Sequence, residues 1–117
     1  MNTNMRTNGY WEEFAEVTVN RCMRAEPGDP LLIITRTAND VSLAEACLAA
    51  GIRAGADTQL MVIPRRHQGA RRNVGAILAA AIRSSKLILV LDTRDLDSAI
   101  GEARDKGTRV LVTDVKG

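Results

Sequence analysis

Four short aliphatic runs, each separated from the next by a helical pattern, constrain the fold of this chain more than any other feature. The runs cover residues 31–35, 59–63, 87–91 and 109–113. Their length suits strands, and the continuous apolar run of residues 31–35 is typical of a strand buried on both faces. No hairpin signal joins them, and strands connected through helices pair in parallel by right-handed crossovers. The sequence therefore predicts an α/β fold, a three-layer Rossmann-like domain with a short, mainly parallel four-stranded sheet.

Helical periodicity predicts helices over residues 10–25, 41–51, 71–84 and 96–106. Ser42 and Glu45 have the spacing of a capping box at the start of the second helix, and Gly107 marks the end of the fourth. The expected buried positions are, in the first helix, Trp11, Phe14, Val17 or Thr18, Cys22 and Ala25; in the third, Val74, Ile77, Leu78, Ala81 and Ile82; in the fourth, Leu96, Ile100 and Ala103.

A chain of 117 residues has the size of one domain. We expect a frayed amino terminus over residues 1–9 and a single α/β domain over residues 10–117. Cys22 and Cys47 lie in apolar helical patterns without C-x-x-C spacing, which predicts buried structural thiols and no zinc site or disulfide.

The formal net charge of +2 gives no reason to expect nucleic acid as a partner, and aromatic side chains interleaved for base stacking are lacking. The sequence contains neither a signal peptide pattern nor an apolar run long enough to span a membrane. We therefore expect a cytoplasmic protein that binds no membrane.

Ligands of open parallel sheets bind beyond the carboxyl ends of the strands, so the segments after the strands hold the candidate site residues. After the first strand come Arg36 and Asn39, close to a helix amino terminus that can hold an anion; Asn39, with Asp40 and Ser42, can equally serve only as a helix cap. After the second strand come Arg65, Arg66, His67 and Arg71. These residues suit a phosphate or carboxylate ligand, or a solvated or subunit-contact segment, and a metal is the least favoured interpretation.

Carboxylates follow the third strand, where Asp92 and Asp95 precede Asp97. This cluster is compatible with magnesium binding or acid/base chemistry, but Asp95 can also be the N-cap of the fourth helix. The sequence lacks the G-x-G-x-x-G, phosphate-loop, G-x-S-x-G and H-E-x-x-H signatures, so the specific grounds for dinucleotide, P-loop, hydrolase-elbow and zincin functions are missing.

Several segments of the sequence resemble the amino-terminal domain of the aminopeptidase T-like metalloenzymes, the family that includes 2,5-dihydroxypyridine 5,6-dioxygenase. The segments that carry the resemblance are Arg21-Cys22-Met23-Arg24-Ala25-Glu26-Pro27-Gly28-Asp29, the strand Leu31-Leu32-Ile33-Ile34-Thr35, Gly55-Ala56-Asp57, Met61-Val62-Ile63-Pro64, Ala79-Ala80-Ala81-Ile82 and Ala103-Arg104-Asp105-Lys106-Gly107-Thr108-Arg109-Val110. The resemblance runs from about Trp11 to Asp114.

The resemblance implies that the metal is held by a carboxyl-terminal domain with no counterpart here, so no metal ligand is carried over. The sequence of this chain differs from the family after the third strand. The family tends to have a hydroxyl-rich segment ending in His-Thr there, whereas this chain has Asp92-Thr93-Arg94-Asp95. The resemblance implies no cofactor in this chain and a divalent metal in a partner chain. The chain would then be a detached amino-terminal domain or a small subunit of an aminopeptidase-like or ring-cleaving dioxygenase-like enzyme, or a divergent protein that has lost catalysis.

Three functional hypotheses remain open. The preferred one is a non-metal-binding domain or small subunit of such a metalloenzyme, contributing to assembly and substrate access and associated with a larger metal-bearing subunit. The alternative is a stand-alone module that binds a small anionic ligand at the strand ends. The third is a small independent enzyme in which His67 acts with Asp92 or Asp95. A homo-oligomer is expected under each hypothesis, because the domain is small and its first helix is apolar.

Overall fold

The structure, a computed structural model, describes residues 11–36, 41–63, 75–91 and 97–113. Helix α1 is α-helical over residues 11–16 and continues as a π-helical turn, Val17–Cys22. It is followed by β1 (Pro30–Arg36), α2 (Ser42–Arg53), β2 (Asp57–Ile63), α3 (Ala76–Ser84), β3 (Leu87–Leu91), α4 (Asp97–Asp105) and β4 (Arg109–Thr113). The expected alternation of helices and strands is confirmed. No described helix is long and apolar enough to cross a membrane.

All four strands form one parallel sheet in the order β2-β1-β3-β4. Strand β1 is central and pairs with β2 on one side and with β3 on the other; Leu31, for example, lies opposite both Thr58 and Leu87. The chain therefore winds outward from β1 to β2, returns across β1 to β3, and continues outward to β4. This is a doubly wound α/β sheet, and it confirms the Rossmann-like fold class.

The core lies on both faces of the sheet. One face packs under α1 and α2 and the other under α3 and α4, so each central strand is covered above and below. The alternation along β1 shows this directly, because Leu31 and Ile33 belong to the first cluster while Leu32 and Ile34 belong to the second. Burial on both faces is the reason that β1 and β3 appear in the sequence as uninterrupted aliphatic runs.

The buried face of α1 matches the expected one only in part, at Thr18. Ala15, Thr18, Val19 and Met23 are buried, whereas Phe14 is 39% and Val17 44% exposed. The amide of Met23 donates to the carbonyl of Thr18 at 2.9 Å, a five-residue step that widens the turn. Buried positions therefore recur about every four residues, which moves the face by one residue relative to a regular helix. The same shift leaves Cys22 exposed, so its predicted burial was wrong, while that of Cys47 is confirmed.

Two details of α2 and α3 also correct the sequence-based expectations. Val41, and not Ser42, is the residue that caps α2, so the capping box with Glu45 does not form. Gly75 has extended backbone and precedes α3, which begins at Ala76, five residues later than predicted. Leu78 and Ile82 are buried as expected, but Ile77 is 78% exposed.

The amino-terminal edge of the sheet is closed by hydrogen bonds. Lys86 Nζ donates to the buried Asp29 Oδ1 at 3.1 Å, and the Glu26 amide donates to Asp29 Oδ2 at 3.0 Å. Hydrogen bonding from Lys86, and secondarily from Glu26, holds the pKa of Asp29 below its usual value. Arg109 Nη1 donates to the Met23 carbonyl at 3.1 Å and so joins the end of α1 to β4. These contacts give the amino-terminal edge a structural role.

Candidate functional site at the carboxyl edge of the sheet

The opposite edge of the sheet is formed by the carboxyl ends of the four strands. Arg36 of β1 lies in register with Ile63 of β2, and Leu91 of β3 lies in register with Thr113 of β4. Parallel pairing brings all four strand ends to the same side of the domain. Every segment that the sequence singled out for chemistry starts from this edge.

The topology separates the four strand ends into one central pair and two outer strands. Helix α2 leaves β1 on one face of the sheet, whereas α4, which follows β3, packs on the other face. The direction of winding thus reverses between β1 and β3. A crevice forms at such a reversal in doubly wound sheets, and it is the usual ligand site of this architecture. The geometry therefore favours the ends of β1 and β3 over those of β2 and β4.

Two polar residues of β1 lie at this reversal. Thr35 is only 1% exposed, and alternation along β1 places it on the same face as Leu31 and Ile33, the face covered by α2. Within residues 11–36, 41–63, 75–91 and 97–113, no hydrogen bond to the Thr35 hydroxyl is found. Arg36 follows on the opposite face and is half-buried. A buried hydroxyl normally has a hydrogen-bond partner, so Thr35 is the polar group of this edge that most needs one.

Most of the predicted site residues lie outside the described residues. Arg36 is described, at the end of β1, whereas the others belong to the segments between the described ranges: Asn39, Arg65, Arg66, His67, Arg71, Asp92 and Asp95. Asn39 follows β1, and Asp92 and Asp95 follow β3, which are the strands that flank the reversal. Their roles as ligand-binding or catalytic residues stay predictions.

The arginine-rich segment starts elsewhere on this edge. It follows β2, an outer strand of the sheet, and β1 lies between β2 and β3. Neighbouring strands are about 4.8 Å apart, so the ends of β2 and β3 are separated by about 10 Å. His67, Asp92 and Asp95 lie outside the described residues, so the pair of His67 with Asp92 or Asp95 stays a prediction.

Other reactive groups of the described chain do not assemble a second centre. No group of three or more His, Cys, Asp or Glu residues that could hold a metal ion occurs within the described ranges. Burial raises the pKa of Cys47 to about 12, which keeps this thiol protonated and unreactive. Glu12, Glu13 and Glu16 line a shallow depression beside Arg53. There, Arg53 Nε donates to Glu16 Oε2 at 2.7 Å, which ties α1 to the end of α2.

Sequence reasoning did not include Thr35 among the candidate site residues. It was placed inside an aliphatic strand, and its hydroxyl carries no motif. The one available signal was its position as the only polar side chain within the run of residues 31–35, next to the carboxyl end. The strand order was needed to show that this end faces the reversal of winding.

Comparison with known proteins places the fold but not the activity. No protein-family profile matches the sequence, and no curated protein sequence matches it. Among solved structures, 2,5-dihydroxypyridine dioxygenase from Pseudomonas putida KT2440 is similar with a TM-score of 0.67 and 16% identity, over 93% of this chain and 35% of that one. Wild-type AmpT from Thermus thermophilus is similar with a TM-score of 0.60 and 17% identity, over 96% of this chain and 36% of that one.

These two structures confirm, at the level of the fold, the resemblance indicated by the sequence. Nearly all of this chain superimposes on them, and it spans about a third of the length of each. The chain therefore has the fold of one part of these larger proteins, a doubly wound α/β domain.

Proposed function

We propose that this chain is a non-metal-binding domain or small subunit of a metalloenzyme of the aminopeptidase or dihydroxypyridine-dioxygenase kind. In this role it contributes to assembly and to substrate access, while a larger partner carries the divalent metal. The observation that supports the proposal is the fold similarity, which takes in nearly the whole of this chain but only about a third of each neighbour.

We assign the divalent metal to the partner because the sequence resemblance carries no metal ligand over to this chain, and a catalytic divalent metal needs about three protein ligands. The carboxyl edge is the surface that we assign to substrate access, because ligands of parallel sheets bind beyond the carboxyl ends of the strands. In this arrangement the substrate lies between the strand ends of this chain and the metal of the partner.

The proposal is tested by isolating the untagged chain from its native host and recording its native mass together with its metal content. A complex with a larger, metal-bearing chain supports the proposal. Removing this chain from that complex and adding it back should then change KM for the partner's substrate, tested with aminopeptidase substrates and with 2,5-dihydroxypyridine. Recovery of this chain only as a metal-free species, with no larger partner, contradicts the proposal.

A second function, binding of a small anion as a stand-alone module, is favoured by one specific observation. The buried Thr35 hydroxyl has no hydrogen-bond partner among the described residues and lies where the winding of the sheet reverses. The first turn of α2 leaves the same strand end, and the amides of a helix amino terminus attract negative charge. A phosphate or carboxylate at this point would accept hydrogen bonds from the hydroxyl and from those amides.

Thermal unfolding with inorganic phosphate and with small carboxylates tests this second function. Binding to the native state raises Tm with ligand concentration by mass action. Thr35→Val keeps the shape of the side chain and removes the hydroxyl, so it should abolish the shift. Thr58→Val is the matched control, since Thr58 is buried in the same sheet but bonds to the Ala56 carbonyl, away from the carboxyl edge. Equal shifts in the wild type and in Thr35→Val would contradict the assignment.

A further inference from the structure

Helix α1 presents an outward line of three residues that no part of the described chain covers. Glu13, Val17 and Arg21 are all exposed, and they are spaced four residues apart. In α1, regular helical turns are followed by the wider π turn, so residues four apart stay nearly in line along the helix. Ala15, Val19 and Met23 form the opposite, buried line. An acidic, an aliphatic and a basic residue therefore follow one another along the outward line.

An apolar strip borders this line on one side. Phe14 is 39% and Val17 44% exposed, and Cys22 is exposed one turn further along. Trp11 packs its ring edge-to-face against Phe14, with ring centroids 6.2 Å apart, which holds the Phe14 ring in place. On the other side, Glu16 is already engaged by Arg53 and by Asn20. The exposed face of α1 thus has one apolar half and one half in which the polar side chain of Glu16 already has partners within the molecule.

We propose that this face binds the same face of a second copy of the chain, with the two α1 helices antiparallel and Val17 on the two-fold axis. The argument is charge complementarity. An antiparallel pair centred on Val17 brings Glu13 of each copy opposite Arg21 of the other. A two-fold interface must be complementary to itself, and a line of acid, aliphatic residue and base around a central position meets that condition.

A parallel pair of the same helices would fail this condition, because it would place Glu13 against Glu13 and Arg21 against Arg21. The same separation of charge also suits the dipole of a single helix, with acids early and bases late. A measurement of helix stability therefore does not tell whether these charges stabilise the single helix or pair with a second copy. A measurement of the oligomeric state does. The contact is shorter than a standard protein interface, so we expect a dimer that dissociates in the micromolar range.

Analytical ultracentrifugation of the full chain over a concentration series tests the proposal by a charge swap. Glu13→Arg and Arg21→Glu each replace two attractive contacts per dimer with two repulsive ones, and each should weaken the dimer by roughly tenfold or more. The double variant carrying both substitutions restores both pairs and should return close to the wild-type dissociation constant. Glu102→Arg makes the same charge change on the exposed face of α4 and should leave the dimer unchanged.

A second measurement covers the case in which a charge variant fails to fold. In a Cys22→Ser background, Val17→Cys should form a disulfide between two copies under mild oxidation, because a residue on a two-fold axis meets itself. The proposal is overturned if the wild type stays monomeric at millimolar concentration, or if the double variant stays as weak as the single ones. Because these assays use this chain alone, their failure would leave the proposal of a metal-bearing partner untouched.

Discussion

Replacing Gly51 with alanine is expected to destabilise the protein, although the same change usually strengthens a helix. Gly51 lies on the face of α2 that packs on the sheet. A Cβ at this position would lie 2.5 Å from Thr58 Oγ1, 2.8 Å from Thr58 Cγ2 and 3.0 Å from Leu31 Cδ2. Thr58 is buried, and its hydroxyl donates to the Ala56 carbonyl at 3.1 Å. The methyl group can therefore be admitted only if the helix moves off the strands.

The magnitude follows from two opposing terms. Overpacking of a core costs about 1–3 kcal/mol, whereas alanine gains about 1 kcal/mol over glycine inside a helix. We expect a net loss of about 1 kcal/mol in the free energy of unfolding, measured by urea denaturation. That loss corresponds to a fall in Tm of roughly 4 °C for a domain of this size.

Gly101 provides the matched control, because it lies within α4 and a Cβ there would have no neighbour within 4 Å. Gly101→Ala should stabilise the protein by about 1 kcal/mol from helix propensity alone. In a Thr58→Ala background, which removes both atoms nearest to the added methyl group, Gly51→Ala should lose most of its cost. If Gly51→Ala and Gly101→Ala stabilise the protein equally, the close approach of α2 to β2 described here is wrong.

Three further predictions concern single side chains. Because the pKa of Asp29 is lowered in the folded state, the contribution of Asp29 to stability is present above its usual pKa of 3.8 and is lost as the pH falls below that value. Asp29→Asn or Lys86→Met should therefore reduce the loss of stability at acid pH. An unchanged loss in these variants would contradict the ion pair. Cys22 should react with a thiol reagent at once and Cys47 only on unfolding, since the first is exposed and the second is buried; equal rates would contradict this difference. Gly107 ends α4 with φ +94°, so Gly107→Ala should cost about 1 kcal/mol in urea denaturation, and a neutral effect would refute the strain.

The sequence was sufficient for the elements of the fold because the strands and helices depend on local patterns. Strands β1 and β3 are buried on both faces, so each appears as an unbroken aliphatic run with no alternative interpretation. The fourth helix was placed well because Ile100 and Ala103 share one face and Gly107 stops it. The strand order could not be predicted from the sequence, since it depends on pairing between residues as far apart as Leu31 and Leu87.

The errors in detail have local physical causes. No sequence signal marks the π-helical turn of α1, and that single turn moved the buried face and exposed Cys22. Ile77 looked like a core residue by periodicity, but it lies about 100° around α3 from the buried Leu78 and is exposed. The pair formed by Asp29 and Lys86 joins residues 57 positions apart, and neither belongs to a motif.

The candidate site could be predicted only in part for a related reason. The sequence directed attention to the carboxyl edge of the sheet, because parallel strands place their carboxyl ends together. The sequence analysis gave most weight to the arginine-rich segment, because its charged residues lie close together along the chain. Strand order moved the emphasis to the ends of β1 and β3, where Thr35 is a buried hydroxyl within an otherwise aliphatic run.

The central place of β1 also governs when the protein can fold during its synthesis. When the ribosome has completed β2, one hydrogen-bonding edge of β1 is still open, because its partner is β3. That open edge belongs to the segment Leu31, Leu32, Ile33 and Ile34, which is apolar on both faces and is the kind of strand that pairs with other chains. Pairing between distant segments is also slow. We therefore expect a nascent chain that ends after residue 63 to stay unfolded and bound by chaperones, and folding to begin only once β3 has emerged.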